Sequence, residues 1–167
     1  MIENLLNELP KSVDCILNAK LSSFSSFQVG GSCNCLLKCY SSEDLISTTK
    51  LLSFYHIDYI VIGEGTNLLI SDQGIDKVVV RYCSCQRVDI SFRNDLITVS
   101  GHMNLDSMVY KLISNGFGEI VFLSGIPGTV GGAIAGNAGA FGKQIGDYLI
   151  SAEVVDLNGN IKLLKHA

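Results

Sequence analysis

Two glycine clusters are the places in this chain where residue type and spacing point to a ligand. The shorter, Gly63-Glu64-Gly65-Thr66-Asn67-Leu68, follows the apolar run Asp58 to Ile62. A glycine pair at a strand end lets main-chain amides converge on one anion. Thr66 and Asn67 add a hydroxyl and a carboxamide at the same corner. Such a turn suits a diphosphate held without a full cationic partner; an ordinary glycine turn between strands accounts for the segment equally well when it is taken alone. It is not the dinucleotide fingerprint of doubly wound folds. Leu68 stands where the third glycine would be, and a strand at Leu69-Ile70, not a helix, is expected to follow. No Gly-Lys-Ser/Thr occurs, which excludes a Walker loop.

The longer cluster runs from Ser124 to Gly142 and holds seven of the chain's 17 glycines, one proline and no ionisable side chain. Glycine in regular structure costs roughly 0.5–1 kcal/mol relative to alanine. Concentrating that cost implies that something approaches the backbone closely. A flat, polar ring system such as an isoalloxazine fits, because its edges need donors and acceptors that peptide groups supply. A flexible linker is the competing explanation, but linkers favour Gly and Ser without interleaved apolar residues. Here Ile126, Val130, Ile134 and Phe141 read as buried.

The formal net charge is −4, and the three arginines, Arg81, Arg87 and Arg93, form no basic stripe. Nucleic-acid binding, which needs clustered cations, is excluded on that ground. The N-terminal residues put acids ahead of apolar ones, unlike a signal peptide. Ile120 to Phe141 lacks charge, but its glycines, Pro127 and polar residues argue against a membrane span. Cys15, Cys33, Cys35, Cys39, Cys83 and Cys85 lack the two-residue gap usual in structural zinc sites, and no metal is expected. Cys33, Cys35, Leu37 and Cys39 alternate as if facing one side of a strand, so buried, reduced thiols of a cytoplasmic protein are expected.

The elements that must position these clusters follow from periodicity and caps. Residues 1–20 read as a helix and connector, and Phe27 to Tyr40 as a hairpin or two strands around Gly30-Gly31. Ser41 to Asp44 starts a helix that should end near His56. Strands are expected at Asp58–Ile62 and Val78–Arg81, with a turn at Asp72–Gly74. A first lobe over residues 1–85 gives way to a second over 86–167. That second lobe opens with strands near Arg87–Ile90 and Leu96–Ser100. Asn104 caps a helix using Leu105, Met108, Val109, Leu112 and Ile113, ended by Gly116 and Gly118. Asn158-Gly159 marks a hairpin between Ile150–Leu157 and Ile161–Leu164 whose outer edge is expected to lack a cover.

On these residues the chain resembles the UDP-N-acetylenolpyruvoylglucosamine reductase family. Gly63 to Leu69, Gly125 to Ala133 and Asn137 to Gly142 are similar to its two signature stretches. Phe27 to Gly31 and Gly116 to Glu119 are similar to the passages that precede them. The resemblance implies a two-lobed α+β FAD-binding architecture of the PCMH/VAO type, shared with vanillyl-alcohol-oxidase-type proteins, with FAD between the lobes. It implies that Gly63, Gly65, Thr66 and Asn67 hold the diphosphate, with Glu64 and Leu68 as further cofactor-binding residues of the same turn. It further implies that Gly125, Ile126, Pro127, Gly128 and Thr129, with Gly131, Gly132, Asn137, Ala138 and Gly139, lie along the flavin and the rest of the dinucleotide.

The family's reaction moves hydride from NADPH to the flavin and then to the enol ether of the UDP-sugar, giving UDP-N-acetylmuramate for the peptidoglycan wall. The partner implied is that small-molecule substrate, with no obligate protein partner evident. Thr66 stands where serine is common, Phe141 where tyrosine is, and Gly136 where a bulkier residue is. The family's arginine near the flavin, its serine that acts as acid towards the flavin-bound substrate and its late glutamate lie downstream of Ala167, so the C-terminal substrate domain is expected to be missing and no catalytic residue is identified here. His102, Glu119 and His166 are possible acids that no motif supports. Two alternatives remain: an FAD-binding module without activity of its own, and another PCMH-type flavin oxidase.

Overall fold

The computed structural model describes residues 2–83 and 90–165. The expectations for Cys85, Arg87, His166 and the lobe boundary at 85/86 lie outside the described residues. By contact the chain divides into two compact units, one within Met1–Cys85 and Ser151–Lys165, the other within Gln86–Ile150.

In the first unit, α1 (Ile2–Glu8) and β1 (Asp14–Leu17) precede a 3-10 turn at Leu21–Phe24. Then come β2 (Cys33–Cys39), α2 (Ser42–Phe54), β3 (Tyr59–Ile62) and β4 (Ile75–Tyr82). The sheet order is β1-β2-β4-β3, with β2, β4 and β3 parallel and β1 antiparallel to β2. Val78, Val79 and Val80 are all fully buried, because β4 lies inside a parallel sheet covered on both faces. On one face Leu5, Leu37, Leu52 and Val80 pack together, and on the other Leu21, Leu36, Ile62 and Val79.

Ser41 starts α2 through a full capping box. Its hydroxyl accepts from the Asp44 amide at 3.0 Å, and the Asp44 carboxylate accepts from the Ser41 amide at 3.1 Å. The helix ends at Phe54, and His56 takes a φ of 51° just beyond it. The cysteines of β2 do not all face one side. A register shift between Cys33 and Cys35 turns Cys33 towards Leu36, while Cys35, Leu37 and Cys39 share the other core. Cys15, expected to be buried, is exposed on the edge strand, and Cys83 is half-buried.

Two expected strands are absent. Phe27 to Gly31 is irregular, with Gln28 at a φ of 55° and Gly30 at 121°. The Gly31 amide is taken by the Ser71 carbonyl at 2.8 Å, and a Cβ on Gly30 would strike the Ile70 side chain. Leu69-Ile70 is irregular for a topological reason: β3 and β4 are parallel, so the chain must travel back along the sheet between them. Leu68 and Ile70 cover the second core on that return path.

The second unit begins with the antiparallel pair β5 (Ile90–Arg93) and β6 (Leu96–Val99). Next is α3 (Leu105–Ser114), capped by Asn104, whose side chain accepts from the Ser107 amide at 3.0 Å. Leu105, Met108, Val109 and Leu112 are buried as the spacing predicts, but Ile113 is 41% exposed. Gly116, at a φ of 90°, closes the helix, while Gly118 opens a 3-10 turn to Leu123. The short α4 (Val130–Ala135) and the pair β7 (Gly139–Ala140) and β8 (Lys143–Gln144) complete the unit with a 3-10 turn at Ile145–Tyr148. Phe141 is 94% exposed, not buried. It and Gly142 have φ values of 55° and 78°, the two positive angles of a tight type I′ turn, which puts the ring at the hairpin tip.

The last hairpin, β9 (Ser151–Val155) and β10 (Ile161–Lys165), groups with the first unit, whereas the sequence assigned it to the second lobe. Its turn makes the attachment: Tyr59 donates its hydroxyl to the Leu157 carbonyl at 3.2 Å, and Ser53 donates to the Asn158 side chain at 3.2 Å. Gly159, at a φ of 77°, lies against Lys50 so closely that a Cβ would sit 2.9 Å from its amide nitrogen.

Candidate functional site

The first candidate segment lies just past the C-terminal end of β3, the end at which parallel sheets present ligands. Gly65 has a φ of 70° and is buried, and a Cβ there would run into the Phe24 carbonyl. Its own carbonyl accepts from the Ser26 amide at 3.1 Å. The turn is therefore pinned to the Leu21–Phe24 turn, and glycine is required by both angle and space. Glu64 and Thr66 are half-buried in it, Asn67 is exposed, and Leu68 packs onto the core.

A cation sits at this turn, contrary to the expectation that it lacks one. Arg81, in register with Ile62, donates from Nε to the Gly63 carbonyl at 3.2 Å. Its guanidinium lies 5.7 Å from the Phe24 ring centroid, and Lys38 Nζ lies at the same distance from that ring. Lys38 and Arg81 are register partners on β2 and β4. Sequence reading missed all three residues. A cation at a strand end is commonplace, and only the pairing with Ile62 gives Arg81 its meaning.

The second segment is built on the edge of the second core. The Gly125 amide donates to Asp106 Oδ1 at 2.9 Å, holding a residue whose φ is 77°. Ile126 packs partly against the core and Pro127 is exposed. Gly128, at 129°, accepts from the Leu105 amide at 2.8 Å. Thr129 is buried, bridges to Asn104, and accepts on its hydroxyl from the Gly132 amide at 3.1 Å. The Gly131 amide donates to the Gly101 carbonyl at 2.8 Å, and a Cβ on Gly131 would lie 3.0 Å from that oxygen. Asn137, at a φ of 46°, ties Gln144 and the Gly146 amide through its side chain, at 2.8 and 3.1 Å. Ala138 accepts from the Ile145 amide at 2.8 Å, and Gly139 is packed against Gln144.

The close approach that this glycine density signalled is therefore partly the chain meeting itself. The amides of Gly125, Ile126, Val130, Gly131, Gly132, Ala133, Gly136, Asn137 and Ala138 are all bonded within the unit. Gly125, Pro127, Gly132, Ala135, Gly136, Asn137 and Gly139 nonetheless face solvent. A Cβ at Gly125 would meet nothing within 4 Å. What the strip presents outward is side-chain-poor, uncharged peptide surface, and this fits a flat ring better than it fits a charged group. The fit to an isoalloxazine thus rests on shape and on open faces at glycine, with fewer donors than its composition suggests.

His102 is buried and shares a hydrogen bond of 2.8 Å between Nδ1 and the Ser100 hydroxyl, so it belongs to the interior of this unit. Glu119 is exposed on the 3-10 turn. Burial pushes the thiols of Cys35 and Cys39 up to about 12 and about 11. Those groups stay protonated and pack as small hydrophobes. Among the described residues no helix is long and apolar enough to cross a membrane.

Residues 33–165 match the family described as FAD binding domain. Among individual relatives, the UDP-N-acetylenolpyruvoylglucosamine reductase of Clostridium perfringens (strain SM101 / Type A) is 31% identical over 96% of this chain and 52% of its own length. That of Caldanaerobacter subterraneus subsp. tengcongensis is 34% identical over 96% of this chain and 53% of its own. The crystal structure of the reductase from Thermus caldophilus superposes with a TM-score of 0.71 at 26% identity, over 92% of this chain and 52% of that one. A solvent-stable cholesterol oxidase superposes at 0.67 with 15% identity, over 96% of this chain and 34% of the oxidase, which shows a shared fold alone. The chain spans about half the length of the relatives it matches. Its fold is the α+β FAD-binding one.

Proposed function

The chain belongs to the FAD binding domain family, and from that premise we propose that it is the flavin-binding part of an NADPH-dependent reductase of UDP-N-acetylenolpyruvoylglucosamine. FAD, when bound, supplies a group that accepts hydride and passes it on. The chain's own residues bind and orient. Gly63, Glu64, Gly65, Thr66, Asn67 and Leu68 form the turn that takes the diphosphate. Gly125 to Thr129, with Gly131, Gly132, Asn137, Ala138 and Gly139, form the surface that lies along the ring system and the remainder of the dinucleotide.

One observation carries the reading: the uncharged strip keeps its main chain outward at Gly125, Gly132, Gly136 and Gly139 while its other face is bonded to its own unit. A loop built only to connect α3 to the β7–β8 pair has no need of that exposed, side-chain-poor face. The reductase, and not another flavoenzyme of this fold, is favoured because relatives of that name are 31–36% identical to this chain. The oxidase named above shares only 15%. NADPH is then the reductant, the UDP-sugar the substrate, and UDP-N-acetylmuramate for peptidoglycan the product. Both reactants are soluble nucleotides of the cytoplasm, where the protein is proposed to act.

The test uses the chain purified with FAD and a protein extended to its relatives' length. The chain should retain FAD that is released intact on denaturation, and the extended protein should oxidise NADPH only when the enolpyruvyl UDP-sugar is supplied. Flavin that stays attached after denaturation, or NADPH oxidation indifferent to the sugar, would refute the reductase reading.

A further inference from the structure

We propose that Lys38 and Arg81 form the cationic side of the diphosphate site, whose other side is the Gly63–Asn67 turn, so that this chain selects the dinucleotide by charge as well as by backbone shape. The inference rests on the flavin reading above and deepens it.

The argument begins with register. Asp14, Lys38 and Arg81 are paired across β1, β2 and β4, so one row of the sheet carries one carboxylate and two cations. Asp14 accepts the Tyr40 hydroxyl at 2.6 Å. Two cations against one carboxylate leave the row a formal excess of one positive charge at the C-terminal ends of β2 and β4; the phenol's hydrogen bond leaves the carboxylate's own charge in place. Arg81 and Ile62 are register partners, and the next residue after Ile62 is Gly63, where the turn starts. The row's two cations are therefore beside the turn, whose own acid is Glu64.

Orientation comes from Phe24. Both cations lie 5.7 Å from its ring centroid, and both side chains are half-buried. Both cations are thus drawn to one aromatic ring. Bringing two like charges to one ring is costly unless an anion completes the group. Arg81 uses Nε on the Gly63 carbonyl, and a guanidinium carries five N–H donors in a planar fork suited to phosphate oxygens. Phe24 also supplies the carbonyl that a Cβ on Gly65 would strike, so one residue positions both the turn and the cations.

The experiment measures affinity of the full chain for FAD and for riboflavin, which has the ring but no phosphate, by quenching of flavin fluorescence. Lys38→Gln and Arg81→Gln should each weaken FAD roughly tenfold and leave riboflavin within about twofold, as expected for a lost charge-assisted contact. Added salt should weaken FAD binding to the native chain more steeply than to either variant. Arg81→Lys, which keeps the charge but loses the planar fork, should fall between. Should Arg81→Gln fail to fold, Lys38→Gln carries the test, since Lys38 makes its contact at the Phe24 ring. Equal weakening of FAD and riboflavin, or no change in either, would overturn the assignment. A native chain that binds neither flavin would overturn the flavin reading itself. The reductase reading is tested separately, because no sugar substrate enters this measurement.

Discussion

Gly65→Ala tests whether the first turn is pinned by its neighbours or merely flexible, and Gly125→Ala is its matched control. Both residues have similar positive angles, 70° and 77°. An L side chain in that region costs roughly 1–2 kcal/mol, a penalty common to both substitutions. Their surroundings differ. A Cβ on Gly65 would collide with the Phe24 carbonyl and press on the Ser25 Cα, which is backbone and cannot rotate away. The turn must lift, and the Ser26 amide loses the Gly65 carbonyl, a further contribution of about 1 kcal/mol. A Cβ on Gly125 meets nothing within 4 Å. Gly65→Ala is therefore expected to destabilise by about 2–3 kcal/mol and Gly125→Ala by about 1–2 kcal/mol. Urea unfolding followed by circular dichroism reads both, with m-values checked so that like transitions are compared. FAD affinity should fall with Gly65→Ala, because the lifted turn no longer presents its amides together. Equal destabilisation by the two substitutions would show that the contact with Phe24 does not constrain the turn.

Asp106→Ala should free the Gly125 amide, raising its hydrogen-exchange rate by roughly fivefold, the equivalent of about 1 kcal/mol at an exposed site. Asp106→Asn, which keeps a carbonyl acceptor, should restore most of the protection, and failure to do so would exclude this bond as the cause. In the last hairpin, hydrogen bonds from Lys162 and from the Asn160 and Asn158 amides hold Asp156 down to about 2, below its ordinary value of 3.8. A depressed carboxylate contributes stability above its unfolded pKa and loses it as pH falls through the folded one. The Asn158 and Asn160 amide resonances should therefore hold above about 3.8 and shift as pH falls towards 2. A transition centred at 3.8 or higher would show that those bonds do not form. Among the described thiols, Cys15 should react first with an alkylating reagent, while Cys35 and Cys39 should react only as the protein unfolds. Rapid native-state labelling of Cys39 would contradict its burial.

Local chemistry was legible in the sequence, and non-local geometry was not. Ser41 with Asp44, and Asn104 with Ser107, cap their helices through neighbours three residues away, so composition alone locates both starts. β1 went unseen because three exposed residues and one half-buried one carry no period, and they become a strand only against β2. Leu69-Ile70 looked like a strand because an apolar pair has the composition of one, yet only Ile70 packs on the sheet face and Leu69 is exposed. Phe141 misled for a related reason: an aromatic residue usually signals burial, yet its place in a two-residue turn overrides that preference. The site residues divide in the same way. The two glycine clusters are readable as runs, whereas Arg81, Lys38 and Asp106 gain their roles only when separate segments meet.

The glycines of the second cluster perform two different tasks, and the division bears on how a site of this type tolerates change. Gly131 and Gly139 lie against other peptide groups, the Gly101 carbonyl and the Gln144 backbone, so a side chain there would push the strip off its own unit. Gly125 has room for a side chain and keeps glycine for its angle, and Gly132 and Gly136 face solvent with near contacts only to Thr129 Oγ1 and to the Gly132 carbonyl at 3.2 and 3.4 Å. Folding alone explains the first pair. The second pair differs: Gly136 stands where the resembled family commonly has a bulkier residue, and at Gly132 the helix propensity that alanine gains is opposed by a Cβ 3.2 Å from the capping Thr129 Oγ1. At Gly132 added bulk therefore bears on two things, the cap beneath it and the open face above it. Gly132→Ala should weaken the chain's hold on FAD by more than its effect on stability accounts for, and an alanine that left flavin affinity intact would remove the reason for supposing that a ring lies there.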